Sequence, residues 1–192
     1  SFPVQMNTWA TVSREGVDMV TSATPLALIK AGMARGIPVS EMIDNMPPVS
    51  DLLLGYSGGS LGEISALLLL IGGIYLLFRK VITWHIPVSV IAAVVLVSGL
   101  FWLSDPNEYI NPVYHILTGG LMLGAIFMAT DMVSSPMTPK GQIIYGAGIG
   151  VITIFIRLFG AYPEGVSFAI LIMNAFTPLL NMYCKPKRFG GK

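Results

Sequence analysis

Five apolar runs, at residues 61–78, 86–104, 112–130, 141–156 and 165–184, decide most of what this chain can fold into. They hold 16 to 20 residues each, and a helix rising 1.5 Å per residue needs roughly 20 to cross about 30 Å of hydrocarbon. The fourth run is short unless it extends to Leu158 and takes Arg157 with it, giving a span at 141–158. An open sheet cannot satisfy its backbone in lipid, and the runs lack the alternation of a barrel. The expected fold is therefore an all-α integral membrane protein with five transmembrane helices. Pro, Gly, Asn and Asp crowd the connections at 104–107 and 160–165, which is turn chemistry.

Composition agrees and narrows the function classes. Charged residues make up 11% of the chain, against roughly 25% in a soluble domain, and the mean hydropathy is +0.73. The formal net charge of +1 supplies no basic surplus for nucleic acid. With Cys184 alone, the chain cannot build a disulfide framework or a thiolate-bound metal centre by itself. His85 and His115 lack ligand spacing and fall toward opposite membrane faces, so no metal site is expected.

The charges sort into three regions. Residues 1–60 form a polar leader with eight charges, 61–184 form the hydrophobic body, and 185–192 form a basic tail. If the spans alternate, Arg79, Lys80, Lys140 and the tail share one side, which the positive-inside rule makes cytoplasmic. The loops holding Asp105, Glu108 and Glu164 then lie outside, together with the leader. No signal peptide precedes that leader, so the chain reads as the C-terminal portion of a longer protein or one piece of a cleaved chain.

Within the leader, Thr24-Pro25 reads as a helix start: Thr is a favoured N-cap, Pro suits the first helical position, and good helix formers follow to about Ala34. The segment around it, with Asp18, Thr21, Ala23 and Thr24, also resembles the flavinylation motif Asp-x-x-[Ser/Thr]-x-Ala-Thr. Ser22 departs from it, standing where the motif usually has Gly. Three further stretches, 58–63, 119–131 and 163–174, resemble the D subunit of the Rnf complex and its homologue, the B subunit of the sodium-translocating NADH:quinone reductase. The likeness runs from about Phe2 to Lys187 and leans toward the Rnf member at 2–5, 23–26 and 84–87.

The resemblance implies a membrane flavoprotein subunit of a ferredoxin:NAD oxidoreductase coupled to Na⁺ or H⁺ translocation, in a bacterial or archaeal plasma membrane. It implies FMN joined by a phosphoester to Thr24 through a separate flavin transferase, with Asp18, Thr21, Ser22 and Ala23 as the recognition context. A noncovalent riboflavin accompanies some members. Other membrane and peripheral subunits would be partners, and an upstream half of similar design would complete a ten-helix, two-repeat bundle. If Thr24 caps the helix, the backbone N–H groups of Leu26 and Ala27 would hold the phosphate. The architecture also resembles urea transporters, so a solute channel is the rival from another class; a channel has no use for the 18–24 motif.

Glu63, at the outer end of the first span, reads either as an interfacial carboxylate facing water or as lining the flavin or ion path, and Asp131, at the inner end of the third, either as a structural cap or as an ion or cofactor contact. His115 and Arg157 read as interfacial residues near the outer face. Gly119, Gly120 and Gly124, like Gly146, Gly148 and Gly150, put small residues at helical spacing, as for packing, and the second group reads as close helix packing rather than a dinucleotide fingerprint. Asn174 and Asn181 are expected to bond between helices or line a cofactor pocket.

Overall fold

Pro25 opens α1 (Pro25–Met33), the first helix among the described residues, as the Thr-Pro pair predicts. The computed structural model describes residues 25–33, 42, 48–54, 65–106 and 108–184. After α1 come α2 (Val49–Leu54), α3 (Ala66–Phe78), α4 (His85–Ser104), α5 (Pro112–Leu117), α6 (Leu121–Leu123, continuing as a π turn over Gly124–Met128), α7 (Pro139–Phe159) and α8 (Val166–Tyr183). All regular structure among the described residues is helical.

Among the described residues, three helices, α4, α7 and α8, are long and apolar enough to cross a membrane, with 20, 21 and 18 residues. The fourth expected span does extend past Arg157, which closes its length deficit. The first expected span differs: α3 begins at Ala66, where Ser65 caps it by accepting from the Leu68 N–H, and it has 13 residues. The third differs more. Instead of one helix over 112–130, the chain breaks between α5 and α6, where Gly119 and Gly120 take φ of +69° and +64°. Side-chain-bearing residues pay a steric penalty there, so a glycine pair suits the break.

The core lies where α4, α7 and α8 meet. Ile86, Val90 and Val94 pack against Tyr145, Ile149 and Ile154, with Ala169 and Ile170 beside them. Glycines let the backbones close up: a Cβ at Gly150 would stand 2.8 Å from the Val90 carbonyl oxygen, and one at Gly148 would meet the Met173 side chain. In lipid, apolar burial gives little drive between helices, so this close contact carries the packing. Ser98, Thr118, Thr130 and Thr153 each donate to the carbonyl four residues back, satisfying their hydroxyls locally. Outward faces stay apolar; Leu68, Leu96, Leu100 and Leu171 are all exposed, the pattern of a lipid-facing surface.

The two expected asparagine bonds form between elements. The Tyr145 hydroxyl donates to Asn174 Oδ1, joining α7 to α8, and the Met137 N–H donates to Asn181 Oδ1 at 3.1 Å. Parts of the leader dock on the bundle: Ile29 and Met42 pack with Ile110 and Tyr114, and Leu53 of α2 packs near Ala66 and Met122.

Candidate functional site

The helix break leaves carbonyl groups that a continuous helix would use internally, and a buried cation satisfies them. Arg157, in the last turn of α7, is 5% exposed. Its Nη2 donates to the carbonyls of Thr118 and Gly119 at 3.1 and 3.0 Å, and its Nη1 donates to the carbonyl of His115. Its Nε donates to the Glu164 carbonyl at 3.0 Å. One planar guanidinium thus ties the end of α5 to the loop before α8, a task suited to its fixed fork of five donors. Gly119 serves this contact as well as the turn, because a Cβ there would stand 2.7 Å from Arg157 Nη2.

Helix α1 is fastened to the same end of the bundle. Lys30 Nζ donates to the carbonyls of Ile156 (3.4 Å), Arg157 (3.2 Å) and Tyr162 (2.9 Å). A cation at the last-turn carbonyls of Ile156 and Arg157 also complements the dipole of α7. Partial burial lowers the Lys30 pKa from its ordinary value.

Between α1 and the bundle lies a cavity of about 230 Å³. Helix α1 contributes Leu26, Ile29 and Lys30 to its wall. Glu108, Tyr109 and Ile110, leading into α5, form a second wall with His115. Arg157, Leu158 and Pro163 close the rest. His115 is 2% exposed, and its Nδ1 is buried without a hydrogen-bond partner among the described residues. The chamber is therefore mainly apolar, with an aromatic ring, an imidazole-bearing residue, two cations held on carbonyls and one carboxylate in its wall.

The sequence-predicted residues fall out unevenly around it. Asp18, Thr21, Ser22, Ala23, Thr24 and Glu63 lie outside the described residues, as does the 185–192 tail. Pro25, next after Thr24, begins the helix that forms one cavity wall. Asp131 lies apart from the cavity, in the exposed turn that follows α6. There it accepts from Ser134 Oγ at 3.1 Å, and its carbonyl accepts from the Ser135 N–H. His85 opens α4 and stacks on Trp84 with ring centroids 4.3 Å apart, while His115 sits in the cavity wall near the other end of the bundle. Among the described residues no three His, Cys, Asp or Glu side chains gather as metal ligands.

Two readings are corrected. Arg157 and His115 are buried rather than interfacial, because the carbonyls at the break recruit the arginine inward. Gly119 and Gly120 form that break instead of a packing face, whereas Gly124 does pack closely, against Val166. A glycine pair inside one apolar run, with a lone arginine inside another, was the signal available for this arrangement.

Fold and cavity together define a helical multi-pass membrane protein in which α1 is fastened to the end of α7 beside a cavity. The chain matches the model of the NQR2, RnfD, RnfE family over residues 1–190, and it belongs to that family. It is 45% identical to the D subunit of the proton-translocating ferredoxin:NAD(+) oxidoreductase complex of Clostridium ljungdahlii, over 99% of this chain and 57% of the relative. It is 47% identical to the D subunit of the Na(+)-translocating ferredoxin:NAD(+) oxidoreductase complex of Acetobacterium woodii, over 90% of this chain and 50% of the relative. The D subunit of the ion-translocating oxidoreductase complex of Stutzerimonas stutzeri is 36% identical, over 99% and 59%. The chain thus spans between half and three-fifths of the length of these relatives.

Proposed function

We propose that this chain is the C-terminal portion of the D subunit of an Rnf-type ferredoxin:NAD oxidoreductase, carrying FMN as a phosphoester on Thr24 and relaying electrons at the outer membrane face. The observation that supports the reading best is that α1 starts at Pro25, directly after Thr24, and faces the cavity with Leu26, Ile29 and Lys30. A group tethered at position 24 would be two residues from a cavity-lining side chain. The wall suits a flavin: apolar and aromatic side chains for a planar ring, and a polar imidazole among them.

The flavin, when bound, supplies acceptance and donation of electrons in single or paired steps. This chain's residues supply the rest. The N-terminal N–H groups of α1 would hold the phosphate, with Leu26 and Ala27 as donors because Pro25 has none. Lys30 pins α1 to the end of α7, and Arg157 keeps the break from collapsing into the cavity. A tether also keeps the cofactor in place when its charge changes.

In this reading the leader lies outside, the 185–192 tail is cytoplasmic, a flavin transferase modifies Thr24, and the remaining Rnf subunits are its redox partners. Relatives named for H⁺ and for Na⁺ translocation are 45% and 47% identical, so the proposal is for ion coupling as such. Thr24→Ala in the assembled complex is expected to abolish flavin fluorescence of this polypeptide on a denaturing gel and to remove the mass of the FMN group. A band that still fluoresces overturns the assignment.

A further inference from the structure

We infer that the end of the bundle away from the cavity carries a site for an anionic phospholipid, built by Arg79, Lys80 and Lys140 beside an exposed apolar rim. The inference stands apart from the flavin reading and uses none of the cavity residues.

One side-chain bond gathers these cations at the same end. The Thr83 hydroxyl donates to Gln142 Oε1 at 2.9 Å, tying the connection between α3 and α4 to the first turn of α7. Arg79 and Lys80 open that connection, and Lys140 lies two residues before Gln142. Gln142 Nε2 in turn donates to the Pro136 carbonyl at 3.1 Å, which holds the segment before α7 in the same frame. All three cations are exposed, and none of their side chains has a hydrogen bond or ion pair among the described residues. Among those residues Asp131 is the only carboxylate at this end, and Ser134 Oγ donates to it. Asp105, Glu108 and Glu164 belong to the connections at the opposite end, and Asp51 lies in α2, beside the start of α3.

The backbone at Lys80 is a second observation. Lys80 closes α3 with φ of +55°, and the Val81 N–H returns to the Leu76 carbonyl at 3.0 Å, a helix ending in which glycine is the usual residue. A Cβ is penalised in that conformation. Lysine stands there at a cost that its side chain recovers from no described partner.

Position selects the occupant. Helices α4 and α7, both long and apolar enough to cross a membrane, begin at His85 and Pro139, so the cations stand within a few residues of where the hydrocarbon ends. Phe78, Trp84, Met132, Val133 and Met137 are exposed around them. The Trp84 ring stacks on His85, which holds an indole at the level where such rings favour the headgroup region. Apolar side chains at this depth meet acyl chains, while lysine and arginine reach past them to phosphate oxygens. A phospholipid with net negative charge meets both needs at once; a free phosphate leaves the apolar rim unmet.

The test uses the whole detergent-solubilised protein, stripped of lipid and titrated with phosphatidylglycerol, phosphatidylcholine or inorganic phosphate. Thermal melting and native mass spectrometry read the binding. Expected is tighter binding and a larger melting shift with phosphatidylglycerol than with phosphatidylcholine, a preference that R79Q/K80Q/K140Q should lose. K80G relieves the turn, so it should melt no lower than wild type without lipid. It should nevertheless bind phosphatidylglycerol about fivefold more weakly, the scale of one cation near an anionic membrane surface. Should the triple variant fail to fold, K80G alone decides. Wild-type affinity in K80G overturns the site. Equal binding of the two lipids also overturns it and hands the patch to an acidic protein partner. Inorganic phosphate stabilising as well as phosphatidylglycerol overturns the lipid assignment in favour of a free anion.

Discussion

The α4–α7 pair and the broken α5–α6 segment draw on similar residues, apolar side chains punctuated by glycine, yet their glycines do different work. In α7, Gly146 and Gly150 sit inside a continuous helix and admit the backbone of α4, close to the carbonyls of Ile86 and Val90. At the break, Gly119 and Gly120 hold positive φ and stop the helix. The unbroken pair satisfies its backbone internally and packs without a gap. The broken segment exposes carbonyls, requires Arg157 to cover them, and borders a cavity. Room beside the bundle thus goes with giving up helical continuity and compensating with one buried cation.

The strongest way to break this comparison is to remove the cation. Arg157→Met is expected to destabilise the chain by at least about 3 kcal/mol, since each buried acceptor left unsatisfied costs about 1–3 kcal/mol. Thermal melting of the detergent-solubilised protein checks it. Arg157→Lys should recover only part, because an ammonium cannot reproduce the planar fork that reaches both α5 and the 164 carbonyl. A methionine variant melting with wild type would mean that the break needs no compensation.

A matched glycine pair sharpens the contrast. Gly119→Ala is expected to cost about 1–2 kcal/mol from the left-handed backbone alone, and more because its Cβ would press on Arg157 Nη2. Gly150→Ala is expected to cost about 1 kcal/mol, as overpacking against the α4 backbone offsets the gain in helix propensity. Melting orders the two, and, under the proposed function, flavin absorption separates them: only the change at 119 should disturb the cavity. Equal spectral changes would erase the distinction between a packing glycine and a break glycine.

How much of this could be read from the letters depends on whether the partner is local. Thr24-Pro25 announces a helix start because capping uses adjacent residues, and α1 does begin at Pro25. The spacing of Gly146, Gly148 and Gly150 announces packing, since small residues at helical intervals have few other uses in lipid. Asn174 and Asn181 announced bonds between elements, because an amide inside an apolar run must find a partner. The break was hidden, because Gly119-Gly120 is written like any packing pair and its apolar surroundings do not record φ. Arg157 was misplaced for a related reason: its partners are main-chain carbonyls, which carry no residue signature. The cavity and the orphaned His115 Nδ1 follow from that arrangement, so they became visible only with it.

The smallest expected effect falls on the seam between leader and bundle. Lys30→Met removes the three carbonyl contacts that fasten α1 to the end of α7. Because the side chain is only partly buried, the loss is expected to be about 1 kcal/mol, the scale of a cation at a helix C-terminus. It should appear locally, as faster hydrogen exchange over Pro25–Met33, with little change in the melting of α4, α7 and α8. Ile29 keeps its apolar packing with Met42 and Ile110, so α1 should loosen without detaching. Faster exchange in α1 alone would make the leader a separately tunable wall of the cavity. Equal acceleration in α7 would instead make α1 part of the bundle's cooperative core, and the contrast between continuous and broken helices would then extend into the leader.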